Sequence, residues 1–275
     1  MAKINGTNGD DGFWGTERAD QIKLFGGNDW ADGGAGNDSI GGGTGNDYLS
    51  GEAGNDRIWG AEGNDSLFGH SNIIDGRGEA DYLSGGPGND YIGLYYGAGG
   101  HAIGGSGNDS IVHYGFGAAR ADGGTGDDYI LNDNGISTGG AGNDRLEAWL
   151  YDPSYDNDGP IPGTGHAAVD MTGGSGADIF MVTGDSRWQG NTAEIRDFRA
   201  DQGDRIGLGI AGEGYRLWTG DVFVGLDANH DNQLTGADFA SGGAVYDDGS
   251  GLLIGLNGNL LHLANVHALD WGMVV

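Results

Sequence analysis

The chain has 275 residues, of which 62 are Gly and only 4 Pro, and its 41 Asp and Glu exceed its 12 Lys and Arg to leave a net charge of −29. Collagen is excluded, because it needs Gly at every third position with abundant Pro, and nucleic acid is excluded as the default partner, because the chain would repel phosphate. Cys is absent, so there are no disulfides and no thiolate metal sites; the charge points to cations, and the preference for Asp (34) over Glu (7) to tight turns and hard-cation sites.

The first residues, Met1-Ala2-Lys3-Ile4-Asn5-Gly6, carry no apolar stretch of the kind a cleaved signal peptide uses. No apolar run approaches the ~18 residues of a membrane span. From residue 11 a nine-residue period sets in. Asp11, Asp20, Asp29, Asp38, Asp47, Asp56 and Asp65 follow one another at steps of nine, each with Phe13, Ile22, Ala31, Ile40, Leu49, Ile58 or Leu67 two positions on. Asp81, Asp90, Asp109, Asp128, Asp144 and Asp178 continue the pattern with Leu83, Ile92, Ile111, Ile130, Leu146 and Phe180. Blocks such as Gly42-Gly43-Thr44-Gly45-Asn46-Asp47-Tyr48-Leu49 have a mechanical reading. Gly permits positive φ and close backbone approach, Asp supplies oxygens, and the apolar residue begins a short strand facing a core. Two units make one turn of a right-handed coil, an all-β parallel roll whose strands stack ~4.8 Å apart. Ions lying between stacked turns would see oxygens only, so calcium is the expected metal.

These blocks resemble the Gly-Gly-x-Gly-x-Asp-x-apolar-x nonapeptide of the RTX (repeats-in-toxin) family over roughly residues 5–180. The resemblance implies a calcium-binding parallel β-roll, here assigned to residues 1–180. Alternating the units puts Asp20, Asp38, Asp56, Asp90, Asp109, Asp128, Asp144 and Asp178 on one edge. Asp11, Asp29, Asp47, Asp65 and Asp81 fall on the other, which then loses its loops. A step short by about two residues near His70-Ser71-Asn72-Ile73-Ile74 is absorbed in that assignment. Asp144/Asp178 is the doubtful pair, because a long excursion, 147–166, intervenes. With the C-terminal loop, the stacked pairs imply about eight to twelve calcium ions.

The replaced segments are rich in aromatics. They are expected to bring Tyr95, Tyr96, His101, His113, Tyr114, Trp149, Tyr151 and Tyr155 onto one edge, either to plug the gap left by missing calcium or to bind a polysaccharide or cell-surface partner. Past Phe180, Ile195-x-Asp197-Phe198 and Gly203-Asp204-x-Ile206-x-Leu208 resemble the transition from β-roll to C-terminal cap in serralysin-type proteases and other type I secretion substrates. Residues 181–275 are accordingly expected to be a β-rich cap. Within it Asp227, Asn229, Asp231, Gln233 and Asp238 fall at EF-hand-like loop positions, with Asn232 in place of Gly and Asp238 in place of Glu, which makes 227–238 a further calcium loop. The end, Asp270-Trp271-Gly272-Met273-Val274-Val275, resembles the uncleaved export signal of such substrates. That implies a type I secretion transporter as partner during export and an extracellular or cell-surface location.

No His-Glu-x-x-His and no Gly-x-Ser-x-Gly occurs, so neither the protease nor the lipase chemistry of RTX relatives carries over. The expected function is a secreted, non-catalytic calcium-binding protein that folds on calcium outside the cell. The alternative is a carbohydrate-binding or carbohydrate-active protein of epimerase or lyase type.

Overall fold

A computed structural model describes residues 1–70, 79–95, 99–115, 117–150, 155–156, 159–160, 167–185, 190–212, 215–217, 233–235, 245–256, 259–270 and 273–275. Among these residues every regular element except one short terminal turn is a strand. Two long sheets dominate, one of thirteen strands and one of eleven. The chain coils between them. Lys3–Asn5, Gln21–Gly26, Ser39–Thr44, Arg57–Glu62 and Asp81–Pro87 join the first sheet, while Gly12–Thr16, Trp30–Gly34, Tyr48–Ser50, Ser66–Phe68 and Tyr91–Tyr95 join the second. Neighbours within each sheet run parallel, as a coil requires.

The core is one residue deep from each side. In the first sheet Ile4, Ile22, Ile40, Ile58, Leu83, Ala102 and Ala121 stand in register. In the second, Phe13, Ala31, Leu49, Leu67, Ile92, Ile111, Ile130, Leu146, Phe180 and Ile206 do so. All but the terminal Ile4 and Phe13 are buried. Except for Ile4, Ala102 and Ala121, these are the residues two places after a repeat Asp, because side chains alternate along a strand and only every second one can point inward. At ~1.5–3 kcal/mol for each fully buried aliphatic, a turn contributing two such residues gains little. The roll therefore needs a second source of stability.

Register corrects the assignment of units to edges. Arg57 pairs with Tyr82 and Ser66 with Tyr91. The Asp56 N–H donates to Asp81 Oδ1 and the Asp65 N–H to Asp90 Oδ1, each across 25 residues rather than 18. Asp81 thus follows Asp56, and Asp90 follows Asp65, the reverse of the expected assignment. The step after Asp65 is a turn lengthened by seven residues, not a unit shortened by two.

The expected boundary after residue 180 falls inside the strand Ile179–Asp185, and both sheets continue past it. Thr192–Ile195 adds parallel to Ala168–Ser175. Arg205–Gly212 adds parallel to Ile179–Asp185. The first sheet then ends in antiparallel pairs formed by Asn259–Ala264, Gly251–Leu256 and Val245–Asp247. Leu252, Ile254, Leu256, Leu261 and Leu263 are buried there, so the roll ends in an apolar layer. The last residues dock on the second sheet, where the Val275 N–H donates to the Ile206 carbonyl at 3.0 Å.

Candidate metal centre

The repeat Asp residues form two files along the edges of the roll, each carboxylate reaching back one turn through Oδ1. In the long file the N–H of Asp11 donates to Asp29, Asp29 to Asp47, Asp47 to Asp65 and Asp65 to Asp90. It continues through Asp109, Asp128, Asp144 and Asp178 to Asp204, at 2.7–3.0 Å throughout. The Asp144/Asp178 step is as well formed as the rest, so the 147–166 excursion does not break the file. The short file links Ala2 to Asp20, then Asp38, Asp56 and Asp81. Outside the long file, Asn46, Asn64, Asn89 and Asn108 each donate their N–H to the side-chain oxygen of the preceding Asn, stitching the turns in the opposite direction.

The other carboxylate oxygen is left over. Oδ2 of Asp29, Asp38, Asp47, Asp56, Asp65, Asp90, Asp109, Asp128, Asp144 and Asp178 is buried and accepts no hydrogen bond. Leaving a buried polar atom unpaired costs about 1–3 kcal/mol, more when it is charged. Ten together would be ruinous unless something else binds them. All but that of Asp29, whose block has Leu24 at this place, point over the first Gly of their own block. A β-carbon at Gly33 would lie 2.5 Å from Asp38 Oδ2 and 2.8 Å from the Gly51 carbonyl oxygen of the next turn. The same pairing of Oδ2 with a next-turn carbonyl recurs at Gly85 with Gly104, at Gly104 with Gly123 and at Gly123 with Gly139. Only Gly leaves that space open. The polar atoms nearest that space are carboxylate and carbonyl oxygens, which is the donor set of calcium. Among the described residues no three His, Asp or Glu side chains converge, because each cradle draws its remaining donors from the backbone.

Both ends of the long file are closed by protein donors instead. Oδ2 of Asp11 takes the N–H and hydroxyl of Thr7 at 2.6 and 2.8 Å. Oδ2 of Asp204 takes the Arg199 N–H at 2.7 Å. Asp20 opens the short file in the same way, with Thr16 N–H and hydroxyl at 2.8 and 2.7 Å. The interior carboxyls titrate abnormally. Burial, opposed by the backbone N–H bonds and reinforced by neighbouring carboxylates, pushes Asp38, Asp47, Asp65 and Asp128 up to about 6, Asp109 and Asp144 up to about 7 and Asp56 up to about 8.

The family model of the RTX calcium-binding nonapeptide repeat (four copies) matches residues 5–40, 41–72 and 68–93. The chain carries RTX calcium-binding repeats. Calcium is therefore the cation of this β-roll. No curated protein matches the chain. Among solved structures it is similar to a hyperactive, Ca2+-dependent, β-helical antifreeze protein from an Antarctic bacterium, at 17% identity over 78% of this chain and 85% of that one, with a TM-score of 0.28.

Other expected site residues fare differently. Of the 227–238 loop, Asp227, Asn229, Asp231 and Asp238 lie outside the described residues. Gln233 lies in the strand Gln233–Thr235, which pairs antiparallel with Ala268–Asp270, and its neighbour Leu234 is buried. Tyr96 and Tyr151 also lie outside the described residues. Tyr155 belongs to a two-residue strand, Tyr155–Asp156, and Trp149 to the strand Arg145–Leu150.

The remaining four do not share an edge, because consecutive strands of the coil belong to opposite sheets and alternate side chains face opposite ways. Tyr95 and Tyr114 do meet, 6.3 Å apart, on the second sheet. They extend a ladder the sequence reading missed, in which Phe68 lies 5.0 Å from Tyr48, 5.8 Å from Tyr91 and 6.3 Å from Tyr95. His101 sits on the first sheet, stacked 6.2 Å from Tyr82. His113 is buried, with Nδ1 2.9 Å from Asn132 Oδ1, and burial holds its pKa down to about 4.

One constellation merits a chemical test. Ser250 Oγ is 3.3 Å from His262 Nε2, and His262 Nδ1 is 3.9 Å from Glu194. The Ser250 hydroxyl donates to Asp248 at 2.6 Å, however, and Glu194 is shared with Arg196 at 3.3 Å. The serine proton points away from the imidazole, so the group is not an activated nucleophile.

Proposed function

We propose that this protein is a secreted, non-catalytic scaffold whose folding is its response to calcium, and that the repeat aspartates supply its metal ligands. The observation that carries the reading is the set of ten buried, unpartnered Asp Oδ2 atoms, eight in the long file and two in the short one. Without a cation these carboxylates oppose the fold. With one, each site stabilises it by RT ln(1 + [Ca]/Kd), ~2.7 kcal/mol at a hundredfold excess over Kd. Extracellular-type sites of Kd about 10⁻⁴–10⁻³ M would stay empty where calcium is scarce, leaving a chain that a type I transporter can thread, and fill outside the cell. The docked C-terminus fits this order of events: a signal spanning Ala268–Asp270 and Val275 would be legible to a transporter only before those residues pair with the rest of the chain.

The test is circular dichroism of the full chain during a calcium titration. Chelated protein should lack the β signal and regain it cooperatively on adding calcium. A β signal that persists in excess chelator would end this reading.

A further inference from the structure

The solvent face of the first sheet departs from the composition of the rest of the molecule. Register places Lys3, Gln21, Ser39, Arg57, Tyr82, His101 and Arg120 in one column across seven consecutive strands, ~29 Å at the usual strand spacing. The adjoining column runs Asn5, Lys23, Gly41, Trp59, Ser84 and Ile103. Neither contains a carboxylate until Asp122 ends the second, in a chain where 41 of 275 residues are acidic. Arg57, His101 and Arg120 are exposed. Among the described residues Arg57 and Arg120 make no ion pair, whereas Arg145 and Arg196 are both held by carboxylates. Between the two guanidinium groups stand Tyr82 and His101, their rings 6.2 Å apart, and Trp59, on the same strand as Arg57, lies 6.3 Å from Tyr82.

We propose that this face binds a carboxylate-bearing polysaccharide, gripped by Arg57 and Arg120 across the Trp59–Tyr82–His101 platform. Guanidinium groups recognise carboxylates through paired hydrogen bonds, and aromatic side chains give a rigid surface for the C–H faces of sugar rings. A straight strip with two rings flanked by two guanidinium groups suits a polymer whose sugar rings carry carboxylates at intervals. Nucleic acid carries a denser charge and is repelled by the molecule as a whole. A second copy of this chain brings −29 of its own. Calcium makes the strip usable: ten dications, one for each unpartnered Oδ2, would reduce −29 to −9 and remove most of the opposing field.

The experiment is calorimetric titration of the calcium-loaded full chain with an oligogalacturonate too short to gel, and with maltohexaose as the neutral probe. Oligogalacturonate should bind, progressively more weakly as salt is raised, and maltohexaose should not. Arg57→Gln with Arg120→Gln should weaken binding at least tenfold, while Arg145→Gln on the other sheet leaves it unchanged. Circular dichroism must show the same calcium midpoint for each variant. If the double variant misfolds, Arg57→Lys with Arg120→Lys keeps the charge and should still lose several-fold. No binding by a chain that folds normally with calcium overturns this proposal and leaves the calcium-folding reading intact. So does equal binding by the double variant, or loss of self-association or of anionic-vesicle binding in its place.

Discussion

The two edges of the roll start alike and end differently. The long edge keeps one Asp per turn from Asp11 to Asp204, with the Oδ2 of every interior carboxylate buried and unpartnered. The short edge stops at Asp81, and the next turns put Gly100, Ala119 and Gly135 in that register position. Nearby it buries His113 and Asn132, bonded to one another. One edge depends on an added cation. Past Asp81 the other is closed by side chains the protein already owns. A solenoid can thus give up its metal on one side so long as the other side still ties successive turns together, because each turn needs only one strong link to its neighbour.

The difference can be broken most severely by removing calcium, which should abolish the fold, since the long edge spans the whole roll. Next in size is a single cut in that file. Asp109→Ala removes both the acceptor of the Asp90 N–H and the oxygen over Gly104. It should lower the calcium stoichiometry by one or two ions and raise the calcium midpoint several-fold, measured by circular dichroism with calorimetry. Asp38→Ala on the short edge should shift the midpoint less, because only Asp56 beyond it has an unpartnered Oδ2.

Acid should act on both edges alike, since the raised carboxyls Asp38 and Asp56 lie on the short edge and Asp109 on the long one. The interior Asp pKa values are raised in the fold, so their protonation stabilises the metal-free roll fully below about pH 4, and that contribution is lost as pH rises through about 6 to 8. Calcium must displace those protons, so its affinity falls as pH drops through the same window, on the order of tenfold per pH unit for one proton per site. A calcium midpoint that does not move between pH 8 and pH 5 would contradict the raised values. Smallest in scope is His113→Ala, which removes a buried ring and its bond to Asn132 Oδ1 and should cost about 1–3 kcal/mol of stability in urea unfolding at saturating calcium, with the ion count unchanged.

The coil, its core and the metal were legible because they rest on local spacing: Asp, then an apolar residue two places on, is a turn followed by an inward side chain wherever it occurs. Lineage across residues 66–80 was not legible. Register there is fixed by hydrogen bonds from Asp56 to Asp81 and from Asp65 to Asp90, and a lengthened turn and a shortened unit give the same run of letters. Asp204 reads as part of the transition to the cap and not as a repeat Asp, although Ile206 follows it at the repeat spacing, because the block before it lacks the paired Gly. The role of Thr7 and Thr16 had a signal too. Each stands four residues before its Asp, where Asp38 and Asp47 have Gly34 and Gly43. The aromatic ladder was hidden because Tyr48 and Tyr91 follow the repeat Asp directly, a position that looks unconstrained until the strands are stacked.

The most direct test of the central claim is a crystal structure of the calcium-saturated chain with the ions located by anomalous scattering. The asymmetry of unpartnered oxygens calls for eight ions in the roll along the file from Asp29 to Asp178 and two along the file of Asp38 and Asp56, with none beyond Asp81 on that side. Equal occupancy of the two edges, or fewer than about five ordered ions in all where calcium's oxygen-donor cradles number ten, would contradict it.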